Sequence, residues 1–173
     1  MYRRGFTLVE IVIVIAIMGV LLTLAVAGIS NSQTNARDAE RKADIDALSA
    51  NLESFYRTGA TGAATAAGRY PSTVIAGNEA TLRSILRDVD PKAATAPNAT
   101  NASTSFIAAT NEIQSITGVT PLPTTGQYVY QPLQANGSGW ALCTTEAQEC
   151  RKYNLYYRLE ATNTVQMVTS KNQ

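Results

Sequence analysis

The sequence predicts an α+β chain: a long N-terminal helix, membrane-spanning in its first half, packed on a small C-terminal antiparallel sheet. Three observations predict it. No proline interrupts residues 7–57, and no charged residue occurs from Ile11 to Ile29. Ile45, Leu48, Leu52 and Phe55 recur at intervals of three, four and three, which puts them on one helical face. Near the C-terminus, Tyr153, Leu155, Tyr157 and Leu159 alternate with Asn154, Tyr156, Arg158 and Glu160, the period of a strand with one apolar face.

The chain opens on a basic stub, Met1-Tyr2-Arg3-Arg4-Gly5, that runs into Phe6-Thr7-Leu8-Val9-Glu10. The uncharged run that follows is about 19 residues, or ~28 Å as a helix, close to the hydrocarbon thickness of a bilayer. A carboxylate just inside the start of such a run is expensive in lipid, so Glu10 needs a reason to be there. The basic start and Ala25-Val26-Ala27 match a secretory signal with an A-x-A exit. Arg3-Arg4-Gly5-Phe6 loosely has the shape of a twin-arginine signal. Both readings leave Glu10 awkwardly in or beside an apolar stretch longer than a usual signal core.

Gly5-Phe6-Thr7-Leu8-Val9-Glu10, continued through Ile11 to Leu22, closely resembles the N-terminal signal of the type IV pilin and type II secretion pseudopilin superfamily. The resemblance implies that a prepilin peptidase cuts between Gly5 and Phe6 and that the new Phe6 amine is methylated. It implies a cytoplasmic-membrane, single-pass subunit before assembly and an extracellular pilus afterwards. It also implies an assembly platform and an ATPase as partners. Many members carry a helix-bending proline where this chain has Ala27, so the usual cause of a bend is missing, although Gly28 can substitute in part. The expected division is a leader at 1–5, a transmembrane and polymerisation helix at 6–29, its amphipathic continuation at 30–58, and a globular α+β head at 59–173.

The helix expected from Thr7 to about Arg57 would be ~75 Å long. Asn31 to Asp46 is polar, and Asp38 and Lys42 stand at an i,i+4 spacing that supports a solvated helix. Below it, the stripe from Ile45 to Phe55 should pack on the head. Thr58 to Gly68, rich in Gly, Ala and Thr, marks the helix exit, and Arg69-Tyr70-Pro71-Ser72 resembles the tyrosine-proline element that often follows the superfamily's long helix. Asn78 should cap a short helix with Leu82, Ile85, Leu86 and Val89 on one face, stopped by Pro91. Lys92 to Ser105 has little to bury and reads as a surface loop, and Phe106 to Ile116 as another short helix. Gln127 to Leu133, Tyr153 to Leu159 and Val165 to Thr169 read as strands, with Asn136-Gly137-Ser138-Gly139 as a turn, giving three or four antiparallel strands.

Composition excludes several function classes. The sequence has 173 residues, with 14 Lys+Arg against 13 Asp+Glu. Loss of Arg3 and Arg4 with the leader leaves a charge of about −1, so there is no basic field to hold nucleic acid by phosphate neutralisation. Histidine is absent, which removes the commonest general base and transition-metal ligand. No catalytic residue, cofactor or metal ligand set is expected. Asp88 and Asp90 read as solvated carboxylates at a helix end rather than as a calcium pair, since no third acidic residue clusters with them. Asn98, Asn101 and Asn136 satisfy the N-glycosylation pattern in stretches where chance matches are common. Tyr128, Tyr130, Tyr153, Tyr156 and Tyr157 read as sheet core rather than as a stacking surface.

Cys143 and Cys150, in an exported protein, read as a disulfide closing a small loop. Free thiols and a metal site are the rivals, and two thiols without histidine cannot complete a closed zinc shell. The expected function is a pilin-like subunit of a homo-oligomeric helical filament serving adhesion, twitching motility or DNA uptake. In that filament Glu10 of one subunit docks on the Phe6 amine of another. A type II secretion pseudopilin is the alternative; the cysteine-closed loop and the lack of an Asp-rich calcium loop favour the pilin. An exported soluble binding domain released after Ala27 is the reading from a different class.

Overall fold

The computed structural model describes residues 5–59, 67–101 and 105–172, with only the backbone at 25–28 and 30. Arg3 and Arg4, most of the helix exit and, after Asn101, the rest of its glycosylation triplet therefore lie outside the described residues. One helix, α1 (Leu8–Thr58), runs from the N-terminal motif into the head. Among the described residues no helix is long and apolar enough to cross a membrane. The uncharged run expected to do so extends over residues 25–28, whose side chains lie outside the description.

The head is an α+β unit built on a five-stranded sheet: β1 (Phe106–Ala108), β2 (Tyr128–Asn136), β3 (Gly139–Leu142), β4 (Lys152–Arg158) and β5 (Val165–Thr169). The order is β1-β2-β4-β5, and β3 pairs with β2 through a hairpin in which Asn136 faces Gly139. Gly137, at φ 60 in that two-residue loop, takes a conformation that glycine adopts without Cβ strain. The sheet is mixed rather than wholly antiparallel, because β1 runs parallel to β2 with Phe106 opposite Tyr128.

β1 occupies part of the segment expected to be a helix. Ile107 is β-branched and suits a strand, and Phe106 buries its ring on Tyr130, so tertiary packing overrides the weak helical pattern. The expected surface loop at 92–105 is also corrected. Ala93, Ala94 and Ala96 are buried, because small side chains let the backbone press closely against its neighbours. The short helix α2 (Glu79–Ile85) begins as expected, with Asn78 Oδ1 accepting from Thr81 N at 3.1 Å. It ends earlier than expected. Leu86 leaves helical geometry, and Asp90, preceding Pro91, is extended. Leu82, Leu86 and Val89 are nonetheless all buried.

The main core joins Ile45, Leu48, Leu52 and Phe55 of α1 to Tyr70, Leu82, Tyr128, Tyr130, Tyr153 and Leu155. A smaller cluster of Ala109, Val119, Val129 and Tyr156 covers the opposite face of the sheet. β4 therefore buries both faces, not the single one its alternation implied: Tyr153 to Tyr157 are all buried. All five tyrosines weighed above belong to this interior. Cys143 and Cys150 form the expected disulfide, with Cα atoms 5.9 Å apart.

Candidate functional site

Two sites deserve description: the N-terminal motif, and the polar junction that fixes the helix to the head. At the first, Thr7 is the N-cap of α1. Its Oγ1 accepts from Glu10 N at 3.2 Å, while Glu10 Oε2 accepts from Thr7 N at 3.0 Å and from Thr7 Oγ1 at 2.9 Å. This is a capping box, which satisfies orphan donors of the first turn reciprocally. Thr7-Leu8-Val9-Glu10 carries the sequence signature of this pairing, a threonine followed three residues later by a glutamate. Gly5 lies just before the helix in open space, and Phe6 is 84% exposed. From Leu8 to Leu24 every large apolar side chain is exposed. The N-terminal site thus combines an accessible Gly5–Phe6 bond, an apolar cylinder and one carboxylate held only from its own first turn among the described residues.

The second site corrects the expectation of a solvated helix around Asp38. Asp38 does not serve Lys42; it is buried and pairs with Arg41 Nη1 at 2.8 Å. It also accepts from Glu160 N at 2.8 Å and Ala161 N at 2.9 Å, which ties α1 to the β4–β5 connection. Arg41, 0% exposed, donates to Thr125 O and Pro97 O and reaches Glu160 Oε2 at 3.2 Å. Arg37 grips the same Glu160 carboxylate with Nε and Nη2, at 2.9 and 2.6 Å. One guanidinium thus gathers three segments of the head onto one turn of helix, a task suited to its planar fork of donors.

Burial pushes the Asp38 carboxyl up, but the two backbone N–H groups and Arg41 outweigh it and hold it below the usual carboxylate range. The Arg37 hydrogen bonds, helped by Arg41 and opposed by desolvation, lower Glu160 likewise. Nearby Asp44 behaves oppositely. Desolvation pushes it up to about 6, although Tyr128 Oη donates to it at 2.7 Å; Glu40 and Asp90 add to the rise and Lys92 opposes it. Further along, buried Glu53 accepts from Tyr70 Oη, Tyr153 Oη, Lys171 N and Asn172 Nδ2, and so ties the C-terminal segment to α1.

The solvated-helix reading of residues 31–46 does not contain this junction, yet the sequence carries a signal for it. Asp38 and Arg41 continue the Ile45 stripe upward at intervals of three and four, so the buried face of α1 turns polar rather than ending. Of the residues singled out beforehand, Cys143 meets Cys150, and Glu10 meets Thr7 within its own chain. Asp90 caps the short 3-10 helix Pro91–Ala94 by accepting from Lys92 N. The disulfide loop is held further by Gln148 Oε1, which accepts from Thr144 N and Thr145 N.

The prokaryotic N-terminal methylation motif matches residues 1–26 of this chain. A type IV major pilin protein, PilA of Myxococcus xanthus (strain DK1622), is 37% identical over 54 residues. That match covers 31% of this chain and 24% of the relative, so the likeness spans about a quarter of the relative's length. No solved structure gives a significant match. The resemblance read from Gly5-Phe6-Thr7-Leu8-Val9-Glu10 is borne out by the two sequence matches, and the long helix with its small sheet is a pilin-like architecture.

Proposed function

We propose that this chain is a pilin-like structural subunit, cut between Gly5 and Phe6, methylated at Phe6, and polymerised through residues 6–29 into a helical surface filament. The observation that carries the reading is the coincidence of the methylation motif with a bare apolar helix that begins on a carboxylate. Before assembly the helix holds the subunit in the cytoplasmic membrane, with Arg3 and Arg4 on the cytoplasmic side. In the filament the apolar helices bundle and exclude water. Glu10 would be costly there without a cation. The Phe6 amine freed on a neighbouring subunit supplies one. Such a head-to-tail contact does not close on itself, so it grows a fibre. Prepilin peptidase, an assembly platform and an ATPase are the partners this reading requires.

Electron microscopy of sheared surface filaments, with intact-mass measurement of the subunit, tests the reading. The expected mature chain begins at Phe6 and carries one added methyl group on its amine. A mature N-terminus at Gly28 would overturn it in favour of a released soluble domain.

A further inference from the structure

The hairpin between β2 and β3 turns on an Asn-Gly step. Among the asparagines of the sequence, Asn136 alone precedes a glycine. Asn136 and both loop residues, Gly137 and Ser138, are exposed. The Asn136 side chain makes no hydrogen bond among the described residues, and Gly137 N meets no acceptor there. A Cβ placed on Gly137 would meet nothing within 4 Å, so no neighbour shields the step. Other asparagines are held. Asn98 donates to Glu160, Asn111 to Gly118 O and Asn172 to Glu53. Asn163 accepts from Arg158 and precedes a β-branched threonine that hinders its own peptide nitrogen.

A side-chain amide next to an unhindered peptide nitrogen can cyclise. Hydroxide removes the Gly137 N–H proton, and the nitrogen attacks Asn136 Cγ. A new C–N bond closes a succinimide, and the side-chain nitrogen leaves as ammonia after taking a proton from water. Water then opens the ring. Cleavage at Cγ restores the backbone and leaves an ordinary aspartate. Cleavage at the α-carbonyl leaves an isoaspartate, with the chain routed through the side chain. The net exchange is water in and ammonia out, with no oxidation or reduction. Glycine serves this attack because it has no side chain to obstruct it. Ring closure requires Asn136 to leave its extended conformation. Asn136 pairs with Gly139 on the last rung of the hairpin, where local opening is least costly.

We infer that Asn136 is a site of spontaneous deamidation, through which the exposed β2–β3 hairpin gains a carboxylate as the protein ages. The change is large for this surface, because residues 128–142 hold no charged side chain. The isoaspartate form also lengthens the backbone at the rung opposite Gly139, so the hairpin end should loosen. The inference does not depend on the filament reading.

The test incubates the detergent-solubilised full chain in mildly alkaline buffer and follows it by isoelectric focusing and peptide mapping with mass spectrometry. Wild type, Asn136→Gln and Asn136→Asp are compared. Position 136 is exposed, so all three should melt alike. Wild type should accumulate an acidic species focusing with the fresh Asn136→Asp chain, at a rate that rises with hydroxide concentration. The map should place the exchange of NH2 for OH on Asn136, in two separable isomers. Asn136→Gln should lose the acidic species, since its longer side chain closes a larger ring far more slowly. Wild type that keeps its charge, an acidic species of equal rate in Asn136→Gln, or conversion mapped to other asparagines would overturn the site. So would a glycan found on Asn136, which would block the same amide.

Discussion

Along α1, residues 8–24 expose every large apolar side chain, whereas residues 41–55 bury theirs against the head. The carboxylates differ in the same sense. Glu53, in the packed half, receives four donors, and Asp38 receives two backbone N–H groups and a guanidinium. Glu10, in the bare half, is held only by Thr7 among the described residues. The lower half of the helix therefore has its charge and apolar surface settled within the chain, while the upper half has both left to settle with something else. One continuous helix serves two surroundings, and a substitution in one half should leave the other largely untouched.

The largest expected effect separates the halves most cleanly. Glu10→Val removes a carboxylate that costs on the order of 2–3 kcal/mol in lipid, so membrane insertion should not suffer. It should abolish filaments, because an unpaired Phe6 amine in an apolar core costs ~3–5 kcal/mol. Comparing sheared filaments with membrane-held subunit is the check, and normal filament yield would rule out Glu10 as the docking charge. Arg41→Ala is the mirror experiment. It strips a buried cation from Asp38 and Glu160 and should destabilise the head by about 3–5 kcal/mol, read as a lower melting temperature of the detergent-solubilised chain. Insertion of the upper helix should be unchanged; a head that melts normally would mean the junction contributes little.

Removing the disulfide should act more weakly, by roughly 2.5 kcal/mol for so short a loop. Proteolysis should then nick the segment from Thr144 to Glu149 first, with the long helix intact. Equal protection with and without reductant would contradict this. The smallest effect is a pH dependence. The Asp44 carboxyl sits at about 6 in the folded chain against 3.8 for the free side chain, so the fold binds its proton more tightly. Its contribution is fully present below the free-chain value and is lost as pH rises through about 6. Asp38 and Glu160 are lowered, so their contribution holds above their free-chain values and fails only at more acid pH. Between pH ~4.5 and ~6.5 the head's melting temperature should rise as pH falls, and Asp44→Asn should flatten that slope. A slope unchanged in the variant would remove Asp44 as its source.

Periodicity made the long helix, its lower stripe, the Asn78 cap and the strands from Gln127 onward legible, because each rests on contacts between near neighbours in sequence. The N-terminal motif was equally legible, since its residues act within two helical turns. What escaped was long-range. Ile107 gives no sign that it will lie parallel to Val129, and the run of small residues at 93–96 reads as a loop until a helix is placed against it. The junction at Arg41 shows the limit most plainly. Its spacing on the stripe was visible, but its partners come from Pro97, Thr125 and Glu160, segments 56 to 119 residues away.

By itself the sequence determined that a carboxylate opens a charge-free helix, that this helix turns amphipathic below, and that a strand-rich head follows. Those properties depend on local spacing and side-chain type. Only the tertiary structure decided that Asp38 and Arg41 are interior and that both faces of β4 are covered. The reason is physical: burial of a charge or of a sheet's second face depends on which distant segments supply donors, acceptors and apolar cover, and period and composition do not encode that.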